Sequence, residues 1–249
     1  MALKKAIAML CLILTGCGGG NSVPAVTTMP NPAVPLQTAM ANIVNTGFSK
    51  RFNVSGLINT SAPGNPASLS PVSGSGNMTF GPPVGATFNG ASALATTGVI
   101  GSVTGTGPIQ SIASTFTYFY NPSNYTVVGI SAGGVTAAMA PYTYQATVQA
   151  GDAACVPGGT TGANSPTTIT MVCTVASYTT TSLLVALETI QKLGSGTATN
   201  APTDRDTETA YLITASGSIS IVSMTTQLFN SVQSAAGSYG YGSLTFTFQ

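Results

Sequence analysis

The sequence predicts a mainly β fold, in which an antiparallel meander forms a strongly curved sheet, a half-barrel or a barrel, with one short N-terminal helix. Many short segments alternate apolar and polar residues, as strands with one buried face do, and turns rich in Gly, Pro and Asn separate them. Apolar residues make up 43% of the chain, so the low charged content of 4% does not indicate disorder here. Because flat sheets of about ten strands are uncommon, the sheet must curl or split into a sandwich.

The helix is predicted at residues 35–47. Apolar residues recur at helical spacing from Leu36 to Val44, and Pro35 and Gly47 suit the two ends of a helix. We expect the apolar stripe to pack on the sheet, so that the helix plugs one end of it or covers one face. Recruitment of a partner by the same stripe is the alternative.

Alternation predicts strands through the middle of the chain, and a stretch rich in Pro, Gly and Ser predicts a loop at residues 59–75, after the first of them. The candidate strands lie at residues 50–58, 77–80, 86–94, 98–104, 109–120, 125–128 and 142–148. A turn at residues 121–124 and a break at Pro141 separate the last three of them.

The C-terminal third carries the clearest alternation. Residues 167–178 predict a strand, residues 209–224 predict a hairpin that turns at Ser216-Gly217, and residues 241–248 predict a final strand. Residues 183–193 are ambiguous, because Ser182 could cap a helix and Gly194 could end it. The same residues also alternate, and a loop and another strand follow, so a strand is favoured.

Residues 1–17 contain a targeting signal. Lys4 and Lys5 precede an apolar run at residues 6–14, which is about half the length that a membrane span needs. The end of this segment, Leu14-Thr15-Gly16-Cys17, resembles the lipobox of bacterial lipoproteins. The resemblance implies that residues 1–16 are a cleaved signal peptide and that Cys17 is acylated. Ordinary secretion, with Cys17 as an unmodified thiol, is the alternative.

The lipobox resemblance also implies a location and a domain organisation. Residues 17–34, rich in Gly, Asn and Pro, would be a flexible tether, and residues 35–249 would form a single β-rich domain. Gly18 stands where Asp favours inner-membrane retention in enteric bacteria, so the outer membrane is expected, on its periplasmic or its surface face. The order of elements also resembles a group of uncharacterised β-rich proteobacterial lipoproteins, which brings no activity with it.

Charge and motif content exclude several function classes. After Cys17 the chain has four basic and five acidic residues, a net charge of −1, so the basic patch that holds nucleic acid is lacking. No zinc, P-loop or dinucleotide pattern occurs. We therefore expect no nucleic-acid partner, no metal and no cofactor.

The sequence contains one match to a catalytic motif. Residues 129–133 read Gly-Ile-Ser-Ala-Gly, the pattern of the nucleophile elbow of α/β-hydrolases, with Ser131 at its centre. An elbow needs a helix after it and a histidine base, and the chain has no histidine. Activation of Ser131 by Lys50 or Lys192 is the remaining alternative. We predict no catalytic residue and no enzyme activity.

Two groups of carboxylates have alternative interpretations. Asp204, Asp206 and Glu208 alternate, so on a strand all three carboxylates would lie on one face, where they could bind a hard cation. Arg205 lies among them, however, and a solvated loop at the entry to a strand is favoured. Glu188 and Glu208 could form a glycosidase-type pair or be scattered surface charges.

Cys155 and Cys173 are predicted to form a disulfide. They are the two thiols that remain once Cys11 is removed with the signal and Cys17 is acylated, in an oxidising compartment. Their separation of 18 residues would give about 3 kcal/mol of stabilisation in the chain-entropy model. Two buried free thiols are the alternative.

The function expected from the sequence is that of a non-catalytic, lipid-anchored cell-envelope protein with a β-rich binding or scaffolding domain. Its partners would be the membrane, through the lipid anchor, and an envelope protein or an apolar ligand. The alternative is a carrier of a lipid or other hydrophobic ligand. A carrier should have a concave sheet face that is lined with Met, Leu and Phe and is not filled by the helix.

Overall fold

The computed structural model describes residues 31–59, 68–101, 103–106, 114–132, 135–139, 141–152, 167–193, 203–229 and 241–249. The predicted signal peptide, Cys17 and residues 17–30 of the predicted tether lie outside this part of the chain. Within it no helix is long and apolar enough to cross a membrane.

The described elements are one helix and thirteen strands. The first half contains α1 (Leu36–Thr46), β1 (Phe48–Asn59), β2 (Leu69–Phe80), β3 (Val84–Phe88), β4 (Ala91–Ile100), β5 (Thr104–Thr106) and β6 (Ser114–Tyr120). The second half contains β7 (Val127–Ala132), β8 (Val135–Ala138), β9 (Thr167–Thr179), β10 (Ser182–Leu193), β11 (Thr203–Thr214), β12 (Ile219–Phe229) and β13 (Tyr241–Phe248).

The strands form one antiparallel sheet in the order β8-β7-β6-β4-β2-β1-β13-β12-β11-β10-β9. Neighbours in the sheet are close neighbours in the chain, except that β13 pairs with β1 and so joins the two halves. The short strands β3 and β5 pair with β4 and β2. The sheet is curled but not closed, so the predicted mainly β meander with a strongly curved sheet is confirmed.

Residues 141–152 lie between the two ends of the curled sheet. The Val127 N–H of β7 donates to the Tyr142 hydroxyl at 2.9 Å, and the Gly151 N–H donates to the Val175 carbonyl of β9 at 2.9 Å. Val148 forms an isolated antiparallel bridge with Val34, just before the helix. This irregular segment therefore connects both ends of the sheet to the start of α1.

The predicted helix is confirmed. Pro35 is its N-cap residue, and Gly47 ends it with φ 65° while its N–H bonds the Ile43 carbonyl at 3.0 Å. A side chain at position 47 would also collide with the backbone of β2 at Phe80, so glycine fits there for two reasons.

The buried face of α1 packs on the concave side of the sheet. Its buried residues are Leu36, Ala39, Met40 and Val44. The core cluster that contains most of this face also contains buried residues of β9, β10 and β11, namely Val175, Leu183, Val185, Leu187 and Ile213. The helix therefore covers the concave face, one of the two positions that the sequence allowed.

A second core cluster lies at the junction of the two halves. Phe52 on β1 is 1% exposed, and its ring centroid lies 5.1 Å from that of Phe246 on β13. Val54, Val72 and Met78 belong to the same cluster. Pairing of the first and last long strands is thus stabilised by aromatic and aliphatic burial.

The predicted loop at residues 59–75 is wrong in its second half, because β2 begins at Leu69. Glycine is common in loops, but two glycines of β2 are needed here for close packing. A Cβ at Gly76 would lie 2.8 Å from the Phe52 ring, and one at Gly74 would lie 2.6 Å from the Thr104 carbonyl of β5. These strand glycines admit a ring and a neighbouring backbone.

The single strand predicted at residues 86–94 is also wrong. It is a hairpin of β3 and β4 that turns at Asn89 and Gly90, with φ values of 49° and 80°. Asn-Gly between two extended segments is a strong hairpin signal, since both turn residues need positive φ. The strand predicted at 98–104 is likewise divided between β4 and β5.

Residues 142–148 do not form the predicted strand, although Tyr142 and Tyr144 are both buried as the alternation indicated. Residues 183–193 do form a strand, β10, as favoured. The hairpin at residues 209–224 and the final strand at residues 241–248 are confirmed.

Candidate functional site

The curled sheet and α1 enclose a cavity of about 130 Å³ that is partly open to solvent. It lies between the two core clusters, under Met40, Ile43 and Val44 of the helix. Residues from β1, β2, β4, β6, β7 and β9 to β12 face it, so it is built by strands from both halves of the sheet. Protein interiors contain few voids larger than a water molecule, so a cavity of this size is a candidate binding site.

Aromatic rings make up much of the cavity wall. Phe80 is central: its ring centroid lies 4.8 Å from Phe48, 5.2 Å from Phe116 and 5.8 Å from Tyr118. These rings project from β1, β2 and β6, strands that are held by the sheet register rather than by loops. The wall is therefore rigid and apolar, and its ring faces suit another aromatic ring.

Four methionines also line the cavity: Met40, Met78, Met171 and Met224. They come from four different elements, the helix and strands β2, β9 and β12. Methionine is flexible and polarisable, and its sulfur makes favourable contacts with aromatic rings. The methionines can therefore adjust the cavity to the outline of a bound molecule.

Two buried tyrosines bring hydroxyl groups to the wall. The Tyr142 hydroxyl accepts the Val127 N–H and lies 3.2 Å from the Tyr144 hydroxyl. One of the two tyrosines donates to the other, so one of their two hydroxyl hydrogens has no acceptor among the described residues. Tyr142 and Tyr144 together therefore offer one spare hydrogen-bond donor at the wall.

Thr96 is the other polar group of interest in the wall. It lies on β4 opposite Tyr118 of β6, and its side chain is 2% exposed. Its Oγ1 is the buried side-chain oxygen or nitrogen that has no hydrogen-bond partner in the described part of the chain. Burying a hydroxyl without a hydrogen-bond partner costs free energy, so a residue of this kind in the cavity wall is a candidate for binding a ligand.

Burial raises the pKa of Tyr120, Tyr142 and Tyr144, because tyrosinate would lose its hydration inside the sheet. For Tyr142 the hydrogen bonds from Tyr144 and Val127 oppose this rise. Burial raises the pKa of Tyr211 as well. These four tyrosines are therefore neutral at ordinary pH and act as hydrogen-bonding and packing groups.

Ser131 is not placed as a nucleophile elbow would place it. It lies within β7, its Oγ accepts a hydrogen bond from Thr136 Oγ1 at 3.1 Å, and the strand β8 follows. Lys50 on β1 is four strand spacings away in the sheet order, about 19 Å along the sheet. Lys192, on β10 in the other half, is further along the order still. The strand order thus separates Ser131 from Lys50. The side chain of Lys192 lies outside the described part of the chain, so activation of Ser131 by Lys192 stays an untested alternative.

Glu188 and Glu208 are brought together. They are register partners on β10 and β11, and their strand neighbours Leu187 and Thr209 line the cavity. Because successive side chains alternate between the faces, the two glutamates lie on the convex face, away from the cavity. Asp204 and Asp206 lie in β11 rather than in the favoured loop. No group of three or more metal-ligating residues occurs within the described residues.

Cys173 on β9 is 3% exposed and is disulfide-bonded. Cys155 lies outside the described residues, so the pairing of Cys155 with Cys173 stays a prediction. Cys17 also lies outside them, and its acylation stays a prediction too.

The sequence did not single out Thr96, Tyr142 or Tyr144 as site residues. The carrier alternative expected Met, Leu and Phe on the concave face, and Met78, Phe80 and Leu187 are there. The helix fills part of the concavity and leaves the rest open, an outcome that alternation cannot predict. The alternation of Tyr142 and Tyr144 after Pro141 was the one available signal for the hydroxyl pair.

No protein-family model, no curated protein and no solved structure matches this chain.

Proposed function

We propose that this protein is a non-catalytic, lipid-anchored protein of the cell envelope whose β-rich domain binds a small apolar ligand in the cavity under α1. The observation that carries the proposal is the cavity itself, with its wall of phenylalanine, tyrosine and methionine side chains. Concave, mostly apolar sites with a few polar groups are typical of ligand binding. The cavity favours the binding of a ligand over a scaffolding role alone.

The volume of the cavity limits the ligand. Drug-sized ligands occupy pockets of about 300–1,000 Å³, whereas an apolar cavity of about 150 Å³ binds benzene. A cavity of about 130 Å³ fits one six-membered ring or a short segment of an alkyl chain. We expect dissociation constants on the order of 1 mM for single-ring probes, which corresponds to a binding free energy of about −4 kcal/mol.

The binding proposal is tested by filling the cavity with Thr209→Phe. Thr209 lines the cavity and faces Met224 across the β11–β12 pair. The larger ring takes up the space of a ligand, so we expect benzene to bind at least tenfold more weakly than to the wild type. Chemical-shift titration measures the affinity, and the same spectra report whether the fold is kept.

Glu208→Phe is the matched control. Glu208 is the neighbour of Thr209 in β11, but it is exposed on the convex face. A phenylalanine at this position should keep the affinity for benzene within about twofold of the wild-type value. A tenfold change would correspond to about 1.4 kcal/mol. Equal weakening by the two variants, or no benzene binding by the wild type, would contradict the proposal.

The anchor is supported by the lipobox resemblance of residues 14–17. Cys17→Ser removes the sulfur that would carry the lipid, so we expect an unprocessed precursor that takes up no labelled palmitate. Normal palmitate labelling of the variant would refute the assignment.

A further inference from the structure

We propose that the ligand of this cavity is a neutral ring compound with one hydrogen-bonding oxygen, such as a phenol, and that Thr96 binds this oxygen. The proposal rests on the proposed function and specifies the class of ligand. It starts from the one buried side-chain oxygen that has no partner in the described residues, and this oxygen belongs to a residue of the cavity wall.

Thr96 lies on the face of β4 that lines the cavity. In the β4–β6 register it lies opposite Tyr118, which also lines the cavity, so both side chains are on the concave face. The hydroxyl is shielded from bulk water, since Thr96 is 2% exposed. A ligand oxygen in the cavity would give this hydroxyl the partner that the described residues do not supply.

The Tyr142–Tyr144 pair provides a second reason to expect an oxygen. One hydroxyl hydrogen of this pair is spare, because the pair contains two hydroxyl hydrogens and one bond between the two oxygens. The Val127 N–H occupies an acceptor position of Tyr142 and does not use that hydrogen. The wall therefore offers donors to a ligand that can accept.

The wall also selects for a neutral molecule. Among the residues that line the cavity, all of them in the described part of the chain, none is Lys, Arg, Asp or Glu. An ion in the cavity would lose its hydration without gaining an opposite charge, which is far costlier than burying a neutral hydroxyl that is hydrogen-bonded. A carboxylate on the ring should therefore prevent binding.

Titration of the full-length protein with benzene, phenol and benzoate tests the inference. We expect the wild type to bind phenol at least as tightly as benzene, because the bond to Thr96 offsets the loss of phenol hydration, and to bind benzoate at least tenfold more weakly than phenol. Thr96→Val keeps the shape and removes the hydroxyl. This variant should bind phenol about tenfold more weakly than the wild type does, while its affinity for benzene should stay within about twofold of the wild-type value.

Thr97→Val is the control, since Thr97 is the exposed neighbour of Thr96 on β4. It should change neither affinity. A second readout is the melting temperature without ligand, which Thr96→Val should raise because it removes an unpartnered buried hydroxyl. The inference is overturned if the wild type binds benzene but rejects phenol, if Thr96→Val weakens both probes equally, or if it lowers the melting temperature. If the wild type binds neither probe, the proposed function fails as well.

Discussion

Raising the pH above about 10 should unfold this protein steeply. Burial raises the pKa of Tyr120, Tyr142 and Tyr144 in the folded state, while in the unfolded chain the tyrosine pKa is about 10. Below that pH both states keep their protons and the contribution to stability is fully present. Above it the unfolded chain releases protons that the folded protein retains, so the free energy of unfolding falls with rising pH. These three tyrosines contribute a slope of about 4 kcal/mol per pH unit, and Tyr211, whose pKa burial also raises, adds to it.

Circular dichroism and the near-ultraviolet absorbance of tyrosinate, followed together through an alkaline titration, measure this effect. Since domains have about 5–15 kcal/mol of stability, unfolding should be complete within roughly one to four pH units of the onset. Tyr144→Phe removes one of the three ionisations and should make the fall with pH less steep. Tyr178→Phe removes a ring that is 58% exposed and is the matched control. Ionisation of all tyrosines before any loss of structure would contradict the burial of the three rings.

Phe52→Ala should destabilise the protein by about 3–5 kcal/mol. The Phe52 ring is 1% exposed, contacts Phe246 at a centroid distance of 5.1 Å and lies against Gly76 of the neighbouring strand. Truncation leaves a cavity where β13 pairs with β1, the pairing that joins the two halves of the sheet. The site cannot collapse easily, because the register of three strands fixes its walls.

Urea denaturation of Phe52→Ala and Asn53→Ala measures this cost. Asn53 is the exposed neighbour of Phe52 on β1, and its truncation should change the free energy of unfolding by less than about 0.5 kcal/mol. A cost below about 1 kcal/mol for Phe52→Ala would show that the junction of the two halves is not a packed core.

Alternation predicted the strands whose two faces differ most. In β13 the core-facing Leu244, Phe246 and Phe248 alternate with outward hydroxyl residues, and the predicted bounds are those observed. Alternation failed in β2, because Gly74 and Gly76 hold core-face positions where a larger side chain would meet a backbone or a ring. Such glycines are indistinguishable from loop glycines until the neighbouring strands are known. The Asn89-Gly90 turn, in contrast, could have been predicted from its two residues alone.

Less of the candidate site could be predicted than of the fold. A concave face with Met and Phe was expected for a carrier, and Met78 and Phe80 follow from their core-face positions in β2. The missing partner of Thr96 depends on which side chains surround it in three dimensions, since threonine on a strand usually finds one. The space under α1 depends on where the helix stops covering the sheet, and local sequence does not encode that distance.

The cavity and the anchor make one account of the protein: a lipid would hold the domain at the membrane, and the curled sheet would hold a ring compound beneath the helix. Both the proposed function and the inferred ligand require that the cavity admits a ring compound. Crystals soaked in bromobenzene test this most directly, because anomalous scattering locates the bromine. We expect one site on the concave face, between Met40, Thr96 and Tyr144. Bromine found only on the convex surface, or an empty cavity under saturating bromobenzene, would contradict the claim.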